Sequence, residues 1–339
     1  MYKVFFTFFL FSIMVIKSFG QTNNDKDSLS TDSLTKNSKI EASIDSLLSN
    51  RSSSYLQVGF GIGNELYSIH NQVLNAKQVT PPIVLTPTIA YFNKSGISIS
   101  ANDYLLNENH SFGANQYSVT PSYETLPGST LDFLFSYTHY FINNEYSSYS
   151  SPIQNDFYSS LVYKKTWLQP GFALGYSAGY SKEAIKLDTT INGVKKHLYD
   201  SLTNNLKLFT TILSVQHNFG WNTVFTHDDS ISFVPIFMLN LGSSGGNVIN
   251  DDNLTAELGT TFTKAQISAL RTKLQQKIKK QNKLQTLSFR AESLGMDLQA
   301  SYTVGNFAIE PDIYFDYYLP QTTINRFTQV FVVNFNYAF

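Results

Sequence analysis

The segment whose reading decides the fold is the last one, FVVNFNYAF at residues 331 to 339. Phe331, Val333, Phe335, Tyr337 and Phe339 share one parity, so in an extended chain their side chains stand on one face. Most chains fray into a polar tail at that end. A strand that finishes on bare apolar side chains is expected to face lipid and to close a barrel.

The same period of two recurs upstream. In YLQVGFGIG, residues 55 to 63, Leu56, Val58, Phe60 and Ile62 alternate with Gln57, Gly59 and Gly61. Leu168, Pro170, Phe172, Leu174, Tyr176, Ala178 and Tyr180 alternate with Gln169, Gly171, Ala173, Gly175, Ser177 and Gly179. Phe307, Ile309, Pro311, Ile313, Phe315, Tyr317 and Leu319 alternate with Ala308, Glu310, Asp312, Tyr314, Asp316 and Tyr318. One face is apolar and the other polar, as in a strand between lipid and lumen. The pattern predicts twelve strands, at about 55–63, 83–92, 96–105, 116–124, 130–141, 156–164, 167–181, 207–225, 231–242, 289–302, 307–319 and 328–339.

The joins separate a barrel from a sandwich. Short turns (93–96, 125–129, 164–166, 226–230 and 304–306) alternate with long polar joins (64–82, 106–115, 142–155, 182–206, 243–288 and 320–327). Around an even number of antiparallel strands, that alternation is the layout of a membrane barrel with short turns inside and long loops outside. The fold class is therefore all-β, an antiparallel transmembrane β-barrel of about 12 strands spanning residues 54–339.

The start of the chain agrees with export. Residues 1–20 carry Lys3, an apolar run from Val4 to Ile16, then Lys17, Ser18, Phe19 and Gly20. This is the pattern of a signal peptide, too short to span a bilayer as a helix. Residues 21–53 are rich in Ser, Asn, Asp, Thr and Lys, with DSL repeated at Asp27, Asp32 and Asp45. They read as a disordered periplasmic tail, long enough to meet a periplasmic partner. The sequence holds no Cys, which excludes disulfides and thiolate metal sites. A net charge of −1 argues against nucleic acid as a partner.

With strands, joins and ends in hand, the chain resembles bacterial outer-membrane β-barrel proteins of the kind common in Bacteroidota. The residues that carry the resemblance are Val333, Phe335, Tyr337 and Phe339, similar to the C-terminal aromatic signal read by the barrel-assembly machinery. The resemblance implies the outer membrane of a Gram-negative bacterium, with lipid and lipopolysaccharide as surroundings. It implies nothing about a substrate.

Motifs for chemistry are sparse. A His with a Ser two residues further along a strand serves some barrel phospholipases, but His70, His110, His139, His197, His217 and His227 are followed at that spacing by Gln72, Phe112, Phe141, Tyr199, Phe219 and Asp229. His227, Asp228 and Asp229 could be a hard-metal patch, though a turn that bonds its own backbone is the commoner use of such residues. LGSSGGN at 241–247 lacks the Lys and following Ser or Thr of a phosphate loop. No cofactor, no metal and no catalytic residue is expected.

The most individual feature lies at about 262–285. Thr263 and Gln266 have capping-box spacing, and Ile267, Leu270, Leu274 and Ile278 recur at helical intervals. Lys264, Arg271, Lys273, Lys277, Lys279, Lys280 and Lys283 occupy the other faces without an acid among them. This predicts a basic helix in an extracellular loop. Strand parity points Glu124, Asp132, Asp297, Glu310, Asp312 and Asp316 into the lumen. The helix then either caps an acidic lumen or rests on lipopolysaccharide phosphates. The function expected is a non-enzymatic pore for small hydrophilic solutes. The alternatives are a surface-binding or structural barrel with a filled lumen, and an accessory to secretion or barrel assembly.

Overall fold

The computed structural model describes residues 54–64, 83–108, 111–126, 128–143, 152–191, 194–250, 255–256, 287–320 and 326–339, together with Ser268, Thr272, Gln275 and Ile278. Its strands in chain order are β1 (Tyr55–Gly63), β2 (Val84–Phe92), β3 (Ile97–Glu108), β4 (Ser111–Glu124), β5 (Leu131–Ile142), β6 (Asn155–Tyr163) and β7 (Gln169–Ile191). They continue as β8 (Val194–Gln216), β9 (Phe219–Asn222), β10 (Asp229–Asn250), β11 (Thr255–Ala256), β12 (Leu287–Val304), β13 (Phe307–Tyr318) and β14 (Phe327–Ala338). Each of β1 to β7 pairs with the next, β8 pairs with β10, and the ring runs on through β12, β13 and β14 to β1. Twelve antiparallel strands thus form a closed barrel, while β9 and β11 are short additions on β10 and β8.

The strand read first is the one that closes the ring. β14 pairs with β1 in the register Val58↔Tyr337, Phe60↔Phe335 and Ile62↔Val333. The Phe339 amide donates to the Leu56 carbonyl at 2.8 Å. Closure leaves no edge with unpaired backbone groups, the condition for strands to sit in hydrocarbon.

The outer face is predominantly apolar. Val58, Phe60, Ile89, Ile99, Phe135, Leu161, Phe172, Leu213, Phe331 and Phe335 are exposed around the wall. Towards the end with the tight turns, outward Tyr91, Tyr123, Tyr163, Trp167, Trp221 and Tyr337 form a belt, with Trp167 69% exposed. Tyr117, Phe141, Tyr317 and Phe327 stand outward near the opposite end. Paired aromatic belts around an apolar band are what the two faces of a bilayer select. Polar groups on this outer wall satisfy one another: Tyr137 Oη donates to Asn155 Oδ1 at 2.7 Å, with His139 Nδ1 3.0 Å from the same oxygen. His217 Nδ1 lies 2.6 Å from the Trp167 carbonyl.

Two joins that read as long polar loops are mostly strand, and a third begins as strand. β3 and β4 remain paired to Glu108↔Ser111, and β7 and β8 to Ile191↔Val194. β10 runs on to Asn250. The expected strand 207–225 is also two pieces: β8 ends at Gln216, and β9 resumes at Phe219 to pair with Ser230–Phe233. The physical reason is common to the first three. At about 3.3 Å per residue, 23-residue β7 and β8 extend roughly 75 Å, whereas about 9–11 residues cross a bilayer. A strand beyond the membrane meets water on both faces and loses the alternation that marks it in sequence.

The segments expected as signal peptide and tail lie outside the described residues. So do the side chains of Lys264, Arg271, Lys273, Lys277, Lys279, Lys280 and Lys283. Ser268, Thr272, Gln275 and Ile278 are helical, and Thr272 Oγ1 donates to the Ser268 carbonyl at 3.0 Å.

Candidate functional site

The candidate site is the inner wall, which divides into sectors of different chemistry. From β2 to β5 it is a ladder of neutral hydrogen bonds between inward residues of adjacent strands. Thr88 Oγ1 donates to Asn102 Oδ1 at 2.7 Å, and Asn102 Nδ2 donates to Ser118 Oγ at 3.1 Å. The hydroxyls of Ser98 and Ser122 are 2.6 Å apart, and those of Thr120 and Thr138 2.9 Å. Such cross-strand pairs fix register as well as satisfying polar groups.

β1 contributes almost no side chains to this wall, because inward Gly59, Gly61 and Gly63 follow Gln57. The neighbouring β14 fills part of the gap: Asn336 lies where a Cβ on Gly59 would be, and Asn334 Oδ1 would meet a Cβ on Gly61 at 2.7 Å. What is left is a cavity of about 280 Å³ bounded by β14, β1, β2 and β3.

β12 and β13 carry the acids. Glu310 accepts from Asn336 Nδ2 at 2.8 Å, Asp316 from Tyr314 Oη at 2.7 Å, and Asp297 from Gln299 Nε2 at 2.8 Å. The Tyr314 ring lies over Gly295, and Asn240 Nδ2 bonds both Ser293 Oγ (2.9 Å) and Tyr314 Oη (3.3 Å). Asp297 and Asp316 are each 3% exposed, so this sector is packed rather than water-filled. Asp297 Oδ1 and Asn240 Oδ1 have no hydrogen-bond partner among the described residues. Asp312 occupies the next inward position between Glu310 and Tyr314. A cation enters the acidic wall through Arg290, whose Nε bonds Glu292 Oε1 at 2.9 Å, while Lys164, just after β6, lies 3.1 Å from Asp132 Oδ2 on β5. Asp132 also accepts from Thr125 Oγ1 at 3.0 Å near the turn end, and Glu124 closes β4 beside it.

The wall is not polar along its whole height. Near the loop end Val84, Leu106, Tyr140, Ile153 and Leu208 form one buried apolar cluster, with Tyr104 and Leu206 packed against it. These residues come from β2, β3, β5, β8 and the segment before β6, so the cluster fills interior space between strands that are not neighbours. The expectation of one apolar face and one polar face is corrected at this level. A lumen this narrow can satisfy inward apolar residues against each other, which an open pore cannot.

At the turn end the His227–Asp228–Asp229 segment is a turn that bonds its own backbone. Asp229 is 1% exposed, and its carboxylate accepts from the amides of Val224 (2.7 Å), Phe225 (2.9 Å) and Thr226 (3.0 Å). Tyr302 Oη adds a contact at 3.3 Å. Burial raises its pKa, but the amides of Phe225, Thr226 and Val224 and the Tyr302 hydroxyl outweigh burial and hold the carboxyl below the usual range. Among the described residues no group of three or more His, Cys, Asp or Glu is placed to hold a metal ion.

Sequence parity assigned the acids to the inner wall but missed the cavity and the apolar cluster. The signal for the cavity was Gly59, Gly61 and Gly63 opposite Asn334 and Asn336, small residues in register with polar ones. The signal for the cluster was Val84, Leu106 and Tyr140 on the parity that elsewhere carries Ser and Thr.

No family model matches the chain, and no curated protein matches it. Among solved structures it is similar to LpxR from Salmonella typhimurium, at TM-score 0.28 and 7% identity over 84% of this chain and 100% of that one. It is similar to CdiB from Acinetobacter baumannii, at TM-score 0.29 and 10% identity over 85% of this chain and 60% of that one. It is also similar to the outer membrane channel DcaP of Acinetobacter baumannii, at TM-score 0.21 and 7% identity over 85% and 96%. Likenesses at this level transfer no residue and no role. A closed barrel with an apolar outer band between aromatic belts is itself a membrane-spanning barrel, the architecture of bacterial outer membranes.

Proposed function

We propose that the protein is a non-enzymatic channel for small hydrophilic solutes in the outer membrane of a Gram-negative bacterium, exported by residues 1–20 and narrowed near its loop end. The observation that supports it is the neutral ladder through Thr88, Asn102, Ser118, Thr120 and Thr138, which gives a solute a hydrogen-bonding path between strands. Twelve strands lie between the eight that side chains fill and the sixteen or so that leave an aqueous channel, so the contents decide. On this reading the basic segment 262–285 caps the acidic sector of Glu310, Asp312 and Asp316. Val333, Phe335, Tyr337 and Phe339 serve as the assembly signal, and removing Phe339 lowers the amount assembled rather than the activity per folded molecule.

A second reading, a filled barrel whose loops bind a surface ligand, is supported by the apolar cluster around Tyr140 and Ile153. Single-channel recording in planar bilayers separates the two. The channel reading expects discrete conductance steps in the wild type, enlarged when Leu106→Ala and Leu208→Ala thin the cluster. A barrel silent in both forms, with its heat-modifiable mobility intact, is the filled one.

A further inference from the structure

The cavity between β14 and β3 has a composition that selects its occupant. It sits directly beneath the apolar cluster, since Val84 and Tyr104 belong to both. Its polar lining is made of amides and hydroxyls, and no Asp, Glu, Lys, Arg or His contributes to it. Those groups fall into two sets. Thr88, Asn102 and Asn336 are committed to the ladder and to Glu310. The side chains of Gln57 and Asn334 and the Thr86 hydroxyl have no partner among the described residues, and they converge on the same space from three adjacent strands.

Packing defines one side of this space: three glycines on β1 remove inward side chains and let Asn334 and Asn336 lie close over β1, and a Cβ at Gly61 would meet both Asn334 Oδ1 (2.7 Å) and Thr86 Cβ (3.4 Å). An anion entering here loses water, gains no counter-charge and meets the Glu310 carboxylate bonded to Asn336. An apolar solute leaves three polar groups without partners. A solute whose hydroxyls both donate and accept matches amides that do the same, and Tyr104 supplies an aromatic wall for the C–H face of a ring. A volume of about 280 Å³ lies just below the range of drug-sized ligand sites, about 300 to 1,000 Å³, and limits the occupant to a single small ring. We propose that the cavity is a binding site for one neutral monosaccharide, held by Gln57, Thr86 and Asn334. The proposal deepens the channel reading and rests on it for the route by which the sugar arrives.

Titration calorimetry on the full chain in detergent tests it, with glucose as probe and glucuronate as the charged control. Glucose is expected to bind saturably, with glucuronate at least fivefold weaker. Asn334→Leu and Gln57→Leu should each weaken glucose about fivefold, the effect of one hydrogen bond. Gly61→Ala should do the same by displacing the Asn334 amide while removing no polar group, and heat-modifiable mobility checks that each variant folds. Equal binding of glucose and glucuronate overturns the proposal, as does binding unchanged in both leucine variants. Conductance without saturable glucose binding overturns the site and leaves the channel standing. Saturable glucose binding without conductance overturns the channel and leaves the site.

Discussion

β13 and β14 lie side by side in the wall, and their outward faces are interchangeable while their inward faces are not. Ile309 and Phe335 are register partners facing out, as are Ile313 and Phe331. Inward, β13 carries Glu310, Asp312, Tyr314 and Asp316, whereas β14 carries Val330, Val332, Asn334 and Asn336. A hydrogen bond from Asn336 to Glu310 joins the two sectors. Lipid asks only that a side chain be apolar, so the outer face records the solvent. The inner face records what the lumen has to hold, and it changes within one strand spacing.

The largest expected effect tests the shared outer face. Phe331→Arg on β14 and Ile313→Arg on β13 are register partners midway between the aromatic belts and should each lower folding stability by about 2–4 kcal/mol, as cations on the lipid face near the midplane do. Denaturant titration in lipid vesicles measures this, and costs that differ widely between the two strands would break the equivalence. A smaller effect probes the packed acidic sector. Gly295→Val should cost about 1–3 kcal/mol by overpacking, because its side chain would displace the Tyr314 ring. Gly113→Ala, with nothing within 4 Å, is the control expected to be near neutral.

Selectivity sharpens the contrast further. Deleting residues 262–285 should raise conductance and shift it toward cations if the basic segment caps the acidic sector. Higher salt should act in the same direction on the wild type, since solvated pairs are screened within about 10 Å at 0.1 M. The triple variant Glu310→Gln, Asp312→Asn, Asp316→Asn should cancel the shift, while Asn334→Leu in the neutral sector should not. Unchanged conductance in the deletion, with the barrel intact, leaves the segment as a lipopolysaccharide contact.

The smallest effect is at the turn end. Asp229 is held below its usual pKa, so its contribution is complete above the unfolded value, about 3.9, and is lost as pH falls through the folded one. The temperature of the heat-modifiable transition should therefore fall more at low pH in the wild type than in Asp229→Asn. Equal falls would show that the turn's three amides add nothing specific to the charged form.

Period-two parity in the sequence determined the antiparallel barrel, the outward residues and the strand that closes the ring, because a wall between lipid and lumen imposes contrast at every step. It also put Glu310, Asp312 and Asp316 on one inner face. It underestimated β7, β8 and β10 where they leave the bilayer, since strands wetted on both sides carry no contrast. Only the tertiary structure decided what the lumen contains. Val84, Leu106, Tyr140 and Leu208 are far apart in sequence and become a cluster when the ring closes. Gly59 and Gly61 become a cavity when Asn334 and Asn336 lie beside them. Parity says which way a side chain points, and the curvature and register of the closed barrel say what it meets there.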